Sequence, residues 1–175
     1  MTPAPTAPLA GALRVRPASA DDISLMARWA ETMALETEDK QLDPGTVSRG
    51  IRIAVEDPAR GQYFIAEIAG EPVGTLMLTY EWSDWRCAWW WWIQSVYIVP
   101  AHRRRGVYRA LYAHVQALAR EREDVGGLRL YVDRQNINAQ RTYEFLGMLD
   151  AGYRMYEVEL RTPDKDKRSR RTRAR

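Results

Sequence analysis

The chain has few of the residues that build disulfides, metal clusters or membrane spans. Cys87 is its one cysteine in 175 residues, so no internal disulfide can form and a reducing, cytoplasmic setting is expected. Its two histidines, His102 and His114, do not read as a metal pair, and no metal is expected. Apolar runs stay well short of a membrane span. Residues 1–12, rich in Ala and Pro, carry no basic residue ahead of an apolar patch. No signal peptide is expected there, and the segment reads as a disordered tail. No internal repeat is present.

What remains is ordinary in bulk and uneven in detail. Hydrophobic residues at 46% and charged residues at 28% fit one soluble globular domain with a sizeable core. The net charge of +3 hides a division: residues 161–175 hold eight Lys/Arg and two Asp, or +6, leaving 18 basic and 21 acidic residues, or −3, over residues 1–160. The basic balance therefore belongs to a C-terminal tail. The domain, residues 13–160, is not expected to bind nucleic acid, and only the tail offers weak contact with it. Of seven tryptophans, six fall between Trp82 and Trp92.

Periodicity places the elements. Leu13–Arg16 alternates as a strand. Ser19 to Asp22 offers a cap for a helix carrying Ile23, Met26, Trp29 and Met33. Residues 36–43 are acidic and loop-like. A second helix begins near Pro44, a good first-turn residue, and turns Val47, Ile51 and Val55 inward. Gln62–Ile68, a turn over Ala69–Pro72 and Val73–Trp82 read as a hairpin. Trp89–Val99 is apolar on both faces and is expected at the centre of a sheet. A helix over about Val107–Arg122 follows, then a reset at Gly126-Gly127 and a strand over Leu128–Val132. A short helix runs through Ala139, Tyr143 and Leu146 to Gly147. Tyr153–Leu160 alternates as a last strand. Hairpins together with strand–helix–strand units imply an α/β layered domain, a mixed sheet flanked by helices.

One stretch organises the rest. The run from Val96 to Tyr112 passes from a β-branched strand through Pro100 into a basic loop, then Gly106, then a helix face at Val107, Leu111 and Val115. The first-turn N–H groups of a helix are unpaired and the dipole adds partial positive charge. With Arg103, Arg104 and Arg105 beside that point, a multiply charged anion such as a pyrophosphate is expected.

The segment Arg103-Arg-Arg-Gly106-Val-Tyr108 resembles the acetyl-CoA motif of the GNAT superfamily of N-acyltransferases, Arg/Gln-x-x-Gly-x-Gly/Ala after a strand. Tyr108 departs from it, standing where Gly or Ala is usual. A second signature, Asn-x-x-Ala-x-x-x-Tyr-x-x-x-Gly, is matched by Asn136, Ala139, Tyr143 and Gly147. The resemblance implies a GNAT-like mixed, mostly antiparallel central sheet and transfer of an acetyl group from acetyl-CoA to a primary amine, directly within a ternary complex. It implies that backbone groups of Val96, Tyr97 and Ile98 pair with the pantetheine arm. The loop and helix start (Arg103, Arg104, Arg105, Gly106, Val107, Tyr108 and Arg109) would then hold the pyrophosphate. Asn136 and Tyr143 would sit near the thioester, with Tyr143 hydrogen-bonding the leaving sulfur. Dimers are common among relatives, so a homodimer is an expectation without a placed interface. The alternative class is an acyl-CoA-binding sensor or interaction module of the same fold, without turnover.

The general base is not legible. Several relatives carry a glutamate where this chain has Gln94, which cannot act as a base. Glu81 and the Glu36-Glu38-Asp39 group are substitutes, and a water chain near Tyr97 is another. The tryptophan run reads mostly as core and sheet packing; the alternative is that Trp82 and Trp85, beside a turn, wall an acceptor pocket, since an indole face attracts a cation. With Glu36, Glu38 and Asp39 they suggest a polyamine-like or lysine-like small-molecule amine, and Glu81 and Gln94 are further candidate substrate-binding residues.

Overall fold

The structure, a computed structural model, describes residues 12–158 and 160. The expected basic tail over 161–175 and all but the last residue of the expected N-terminal tail lie outside them. The chain forms two compact units, one ending at Asp133 and the other beginning at Arg134.

The first unit runs β1 (Leu13–Pro17), a 3-10 turn, α1 (Ile23–Glu38), α2 (Pro44–Glu56), β2 (Gln62–Ile68), β3 (Glu71–Ser83), β4 (Ala88–Ile98), a second 3-10 turn, α3 (Val107–Arg120) and β5 (Val125–Arg129). The sheet order is β1-β2-β3-β4-β5. The pairs are antiparallel until β5 joins β4 in parallel. This is the expected mixed, mostly antiparallel sheet.

Local chemistry sets the helix starts. Asp43 accepts the Thr46 N–H at 2.8 Å ahead of Pro44, so α2 is capped and its first residue needs no donor. Before α1, the Asp22 carboxylate accepts the Ser19 N–H at 2.7 Å and the two guanidinium nitrogens of Arg16 at 2.7 and 2.9 Å. That carboxylate is buried, which an ionised group tolerates only with such partners. The acidic stretch departs from expectation. Glu36 and Glu38 complete α1, and the helix ends only where Asp39 turns left-handed.

Alternation along the strands divides the core. Tyr63 and Ile65 of β2, with Tyr97 of β4, face α1 and α2 through Ile23, Met26, Trp29 and Ile51. Phe64, Leu76 and Leu78 point to the other face, where His114 of α3 lies edge-on to Phe64 at 5.1 Å. His114 is thus half-buried rather than on the surface, and burial pushes its imidazole pKa down. The periodic residues Val107, Leu111 and Val115 are fully buried, as their spacing predicts.

Two strands differ from the reading of the sequence. β5 includes Gly126 and Gly127 and stops at Arg129, so Leu130–Val132 lies beyond it. The glycine is needed for close approach: a Cβ on Gly127 would stand 2.6 Å from the Trp90 ring. In the second unit, α4 (Ile137–Phe145) forms as expected and Gly147 follows it with a left-handed φ of 86°. Tyr153–Val158, however, is irregular and exposed, and Glu159 lies outside the described residues. An alternating pattern says which side chains could share a face. It does not supply the ladder partner a strand requires.

Candidate active site

The site begins with a break in the sheet. β4 and β5 pair from Trp89↔Val125 to Trp92↔Arg129 and no further. The β5-facing side of β4 from Ile93 to Ile98 is therefore an open edge among the described strands. On the other side, register with β3 passes from Met77↔Gln94 to Thr75↔Tyr97, one residue more on β4 than on β3. That bulge holds Ser95 at a φ of 48°, a left-handed value that is unusual for a residue with a side chain.

The ladder then decides which backbone groups are available. Val99 donates to the Val73 carbonyl at 3.0 Å. Antiparallel partners alternate between bonded and non-bonded pairs, so Ile98, opposite Gly74, turns its N–H and C=O away from β3. Tyr97, opposite Thr75, turns its own toward β3. Of the backbone groups expected to hold a pantetheine arm, those of Ile98 face the open edge and Val96 lies at the bulge, while those of Tyr97 are spent on the ladder.

After Pro100 the loop reverses into α3. Arg104 and Gly106 take φ values of 62° and 84°. A Cβ on Gly106 would meet nothing within 4 Å, so glycine serves the left-handed turn and not a tight contact. The first helical bond is Ala110 N–H to the Gly106 carbonyl at 3.0 Å. The N–H groups of Val107 to Arg109 thus precede the ladder, as an anion cradle requires. Arg104, Arg105 and Arg109 are exposed beside it, and the Tyr108 ring leans on Tyr112 at 6.2 Å.

Arg103 behaves differently from its neighbours. Its Nε donates to the Ile98 carbonyl at 2.9 Å and its Nη2 to the Glu36 carboxylate at 2.6 Å. Neither bond is turned to the loop's N–H groups.

The carboxylates expected near the acceptor are also engaged. Glu81 accepts the Trp92 indole N–H at 2.6 Å and an Arg129 guanidinium N–H at 2.8 Å. Arg129 in turn stands 4.1 Å over the Trp90 ring. Gln94 donates to Thr79 Oγ1 at 2.5 Å. Trp82 and Trp85 are not brought to these groups. Trp82 packs edge-on against Trp89 at 5.1 Å, on the face opposite Glu81, Trp92 and Gln94, and Trp85 is 88% exposed.

Between α1 and the bulge lies a cavity of about 10 Å³, lined by Met26, Met33, Tyr63, Thr75, Ser95 and Tyr97. It is large enough for about one water. Burial pushes the Tyr63 phenol pKa up, against a smaller opposing effect of its hydrogen bond with Ser95. No sequence signal marks this spot, because its hydroxyls come from three separate strands.

In the second unit Asn136 caps α4, its Oδ1 accepting the Ala139 N–H at 3.1 Å. This cap accounts for Asn136 three residues ahead of position 139. Tyr143 is half-buried one turn further along, and burial pushes its phenol pKa up.

Residues 26–148 match the model of the acetyltransferase (GNAT) family. A possible acetyltransferase from Clostridium difficile 630 is 37% identical, over 86% of this chain and 99% of that one, with a TM-score of 0.80. The ribosomal-protein-alanine N-acetyltransferase from Brucella melitensis biovar Abortus 2308 is 18% identical over 85% of this chain and 99% of that one, at a TM-score of 0.69. AAC(6')-Iy, solved with a bisubstrate analogue, CoA-S-monomethyl-acetylneamine, is 13% identical over the same shares, at 0.70. The last two are alike in fold alone. No curated protein sequence matches the chain.

Proposed function

This chain belongs to the GNAT family of acetyltransferases, and we propose that it moves an acetyl group from acetyl-CoA to a primary amine by direct transfer in a ternary complex. The observation that carries the reading is the open edge of β4. An extended amide chain can pair there with Ile98 as a strand would, and the edge runs toward the start of α3, whose first-turn N–H groups precede the helical ladder. The family uses acetyl-CoA, and these residues fit it: a strand edge for an amide-bearing arm and a cationic helix start for its phosphates.

When bound, acetyl-CoA supplies a thioester carbonyl at which a C–N bond forms as the C–S bond breaks. The chain's residues handle the protons. By the family resemblance Tyr143, kept protonated by its raised pKa, would donate a hydrogen bond to the sulfur as negative charge gathers there, and the proton lost by the acylated amine would leave with the thiol. A lysine-like amine is free base in only about one molecule in 2,500 at pH 7. Desolvation of the amine on binding would favour that neutral form. No free carboxylate is needed for this, and Gln94, Glu36 and Glu81 are all held by partners.

Those partners also bear on the acceptor. Arg103 and Arg129 balance Glu36 and Glu81, which removes much of the attraction for a polycation. A lysine-like monoamine is favoured over a polyamine.

The test is thiol release from acetyl-CoA with an amine panel that includes a lysine-like monoamine and spermidine. Release with the monoamine ahead of spermidine supports the reading. Coenzyme A binding without release for any amine would leave the chain as a sensor of the same fold.

A further inference from the structure

Arg103 is the first residue of the phosphate-binding motif by resemblance, yet its guanidinium joins other parts of the fold. It reaches the Ile98 carbonyl on the open edge of β4 at 2.9 Å and Glu36 in the last turn of α1 at 2.6 Å. Its carbon also stands 5.5 Å from the centre of the Tyr97 ring. That ring lies 5.8 Å from Trp29 of α1. A planar guanidinium can make these contacts together, because its donors fan out in one plane and leave a face for the ring. A lysine ammonium cannot.

The carbonyl end of this strut is what gives it meaning. The Ile98 carbonyl points away from β3, so it is an acceptor that an incoming extended amide chain would use. The other end fixes Glu36, just before the left-handed Asp39 that terminates α1. The helix it fixes lines the cavity at the bulge through Met26 and Met33. One side chain therefore touches both the edge that takes the donor and the helix on the acceptor side.

We propose that Arg103 is a positioning residue that couples donor binding on β4 to the acceptor-side end of α1, and that it is not a pyrophosphate ligand. The proposal rests on the reading of β4 as the donor strand. A donor amide that takes the Ile98 carbonyl displaces the Arg103 Nε, and the Glu36 end of α1 responds. Donor and acceptor affinities are then linked, each changing the other by the same factor.

The experiment is hydrogen exchange of residues 34–40 with and without coenzyme A, beside calorimetric titration of coenzyme A. It uses the wild type, Arg103→Gln, Arg103→Lys, Glu36→Gln and the Arg103→Gln/Glu36→Gln double variant. Coenzyme A is expected to change wild-type exchange in this turn by about threefold or more. That response should vanish in all the variants, while coenzyme A binds no more than about twofold more weakly than to the wild type, and more tightly where the displaced Nε bond is gone. Lysine should fail to restore the response, because it keeps the charge and loses the fork. A tenfold or greater loss of coenzyme A affinity in Arg103→Gln, or a retained response, would overturn the proposal. If the wild type does not bind coenzyme A, the donor-strand reading fails separately. The strut is then judged in the free protein, where each single variant should speed exchange of this turn and the double variant no further. Additive or absent effects would overturn it.

Discussion

Glu81 and Arg129 meet at 2.8 Å across β3 and β5, and the same carboxylate takes the Trp92 indole N–H at 2.6 Å. The pair spans the strand that lies between them, at the last rung where β4 and β5 are joined. It closes the end of the paired region and gives each Glu81 oxygen a donor. Glu81→Gln keeps an acceptor for Trp92 and loses the ion pair. We expect a stability loss of about 1 kcal/mol, since both partners are partly exposed, with the pH profile of kcat unchanged. Thermal denaturation and a pH–rate series check both. A lost acidic limb in the profile would return Glu81 to the mechanism.

Tyr143→Phe should lower kcat by about 100-fold with little change in coenzyme A affinity. Its phenol pKa is raised by burial, so the wild-type group remains a donor throughout the neutral range. Steady-state kinetics beside calorimetry separate the two effects. An unchanged kcat under rate-limiting chemistry removes Tyr143 from the reaction.

Asp22 predicts an acid limit to stability. Its hydrogen bond with Arg16, above all, holds its pKa below the ordinary 3.8. A depressed carboxylate stabilises the fold fully above the unfolded value and loses that contribution as pH falls through the folded one. Asp22→Asn should therefore cost about 2 kcal/mol at neutral pH and flatten the fall in stability below about pH 4. Urea melts from pH 7 downward measure it. A variant that loses stability in parallel with the wild type at every pH would contradict this account.

Gly74→Ala tests the packing behind the donor edge. An added Cβ would stand 2.9 Å from the Tyr97 carbonyl oxygen and 2.6 Å from Ile98 Cδ1. Backbone must then shift, at a cost of about 1–3 kcal/mol, and coenzyme A binding should weaken with it. An unaltered denaturation midpoint would mean that the strands separate without strain.

Much of this could be read from single residues. Pro44 marked the start of α2, the Val107-Leu111-Val115 face marked α3, and Gly106 marked the turn into it. What stayed hidden depends on distance along the chain. Arg103 and Glu36 are 67 residues apart and Arg129 and Glu81 are 48, and no local pattern pairs them. The bulge falls at Gln94-Ser95-Val96, which carries neither glycine nor proline to announce a left-handed residue. The end of β5 was missed because Leu130–Val132 is as apolar as a strand. Only the absence of further pairing with β4 ends it there.

On the proposed reading, the open edge of β4 receives the donor. Amide NMR of the labelled protein, titrated with acetyl-CoA, tests it directly. The Ile98 N–H is expected to shift and gain protection from solvent exchange. The Tyr97 N–H, already turned to β3, should gain none. Saturable binding of acetyl-CoA that leaves the Ile98 N–H unprotected would contradict the account.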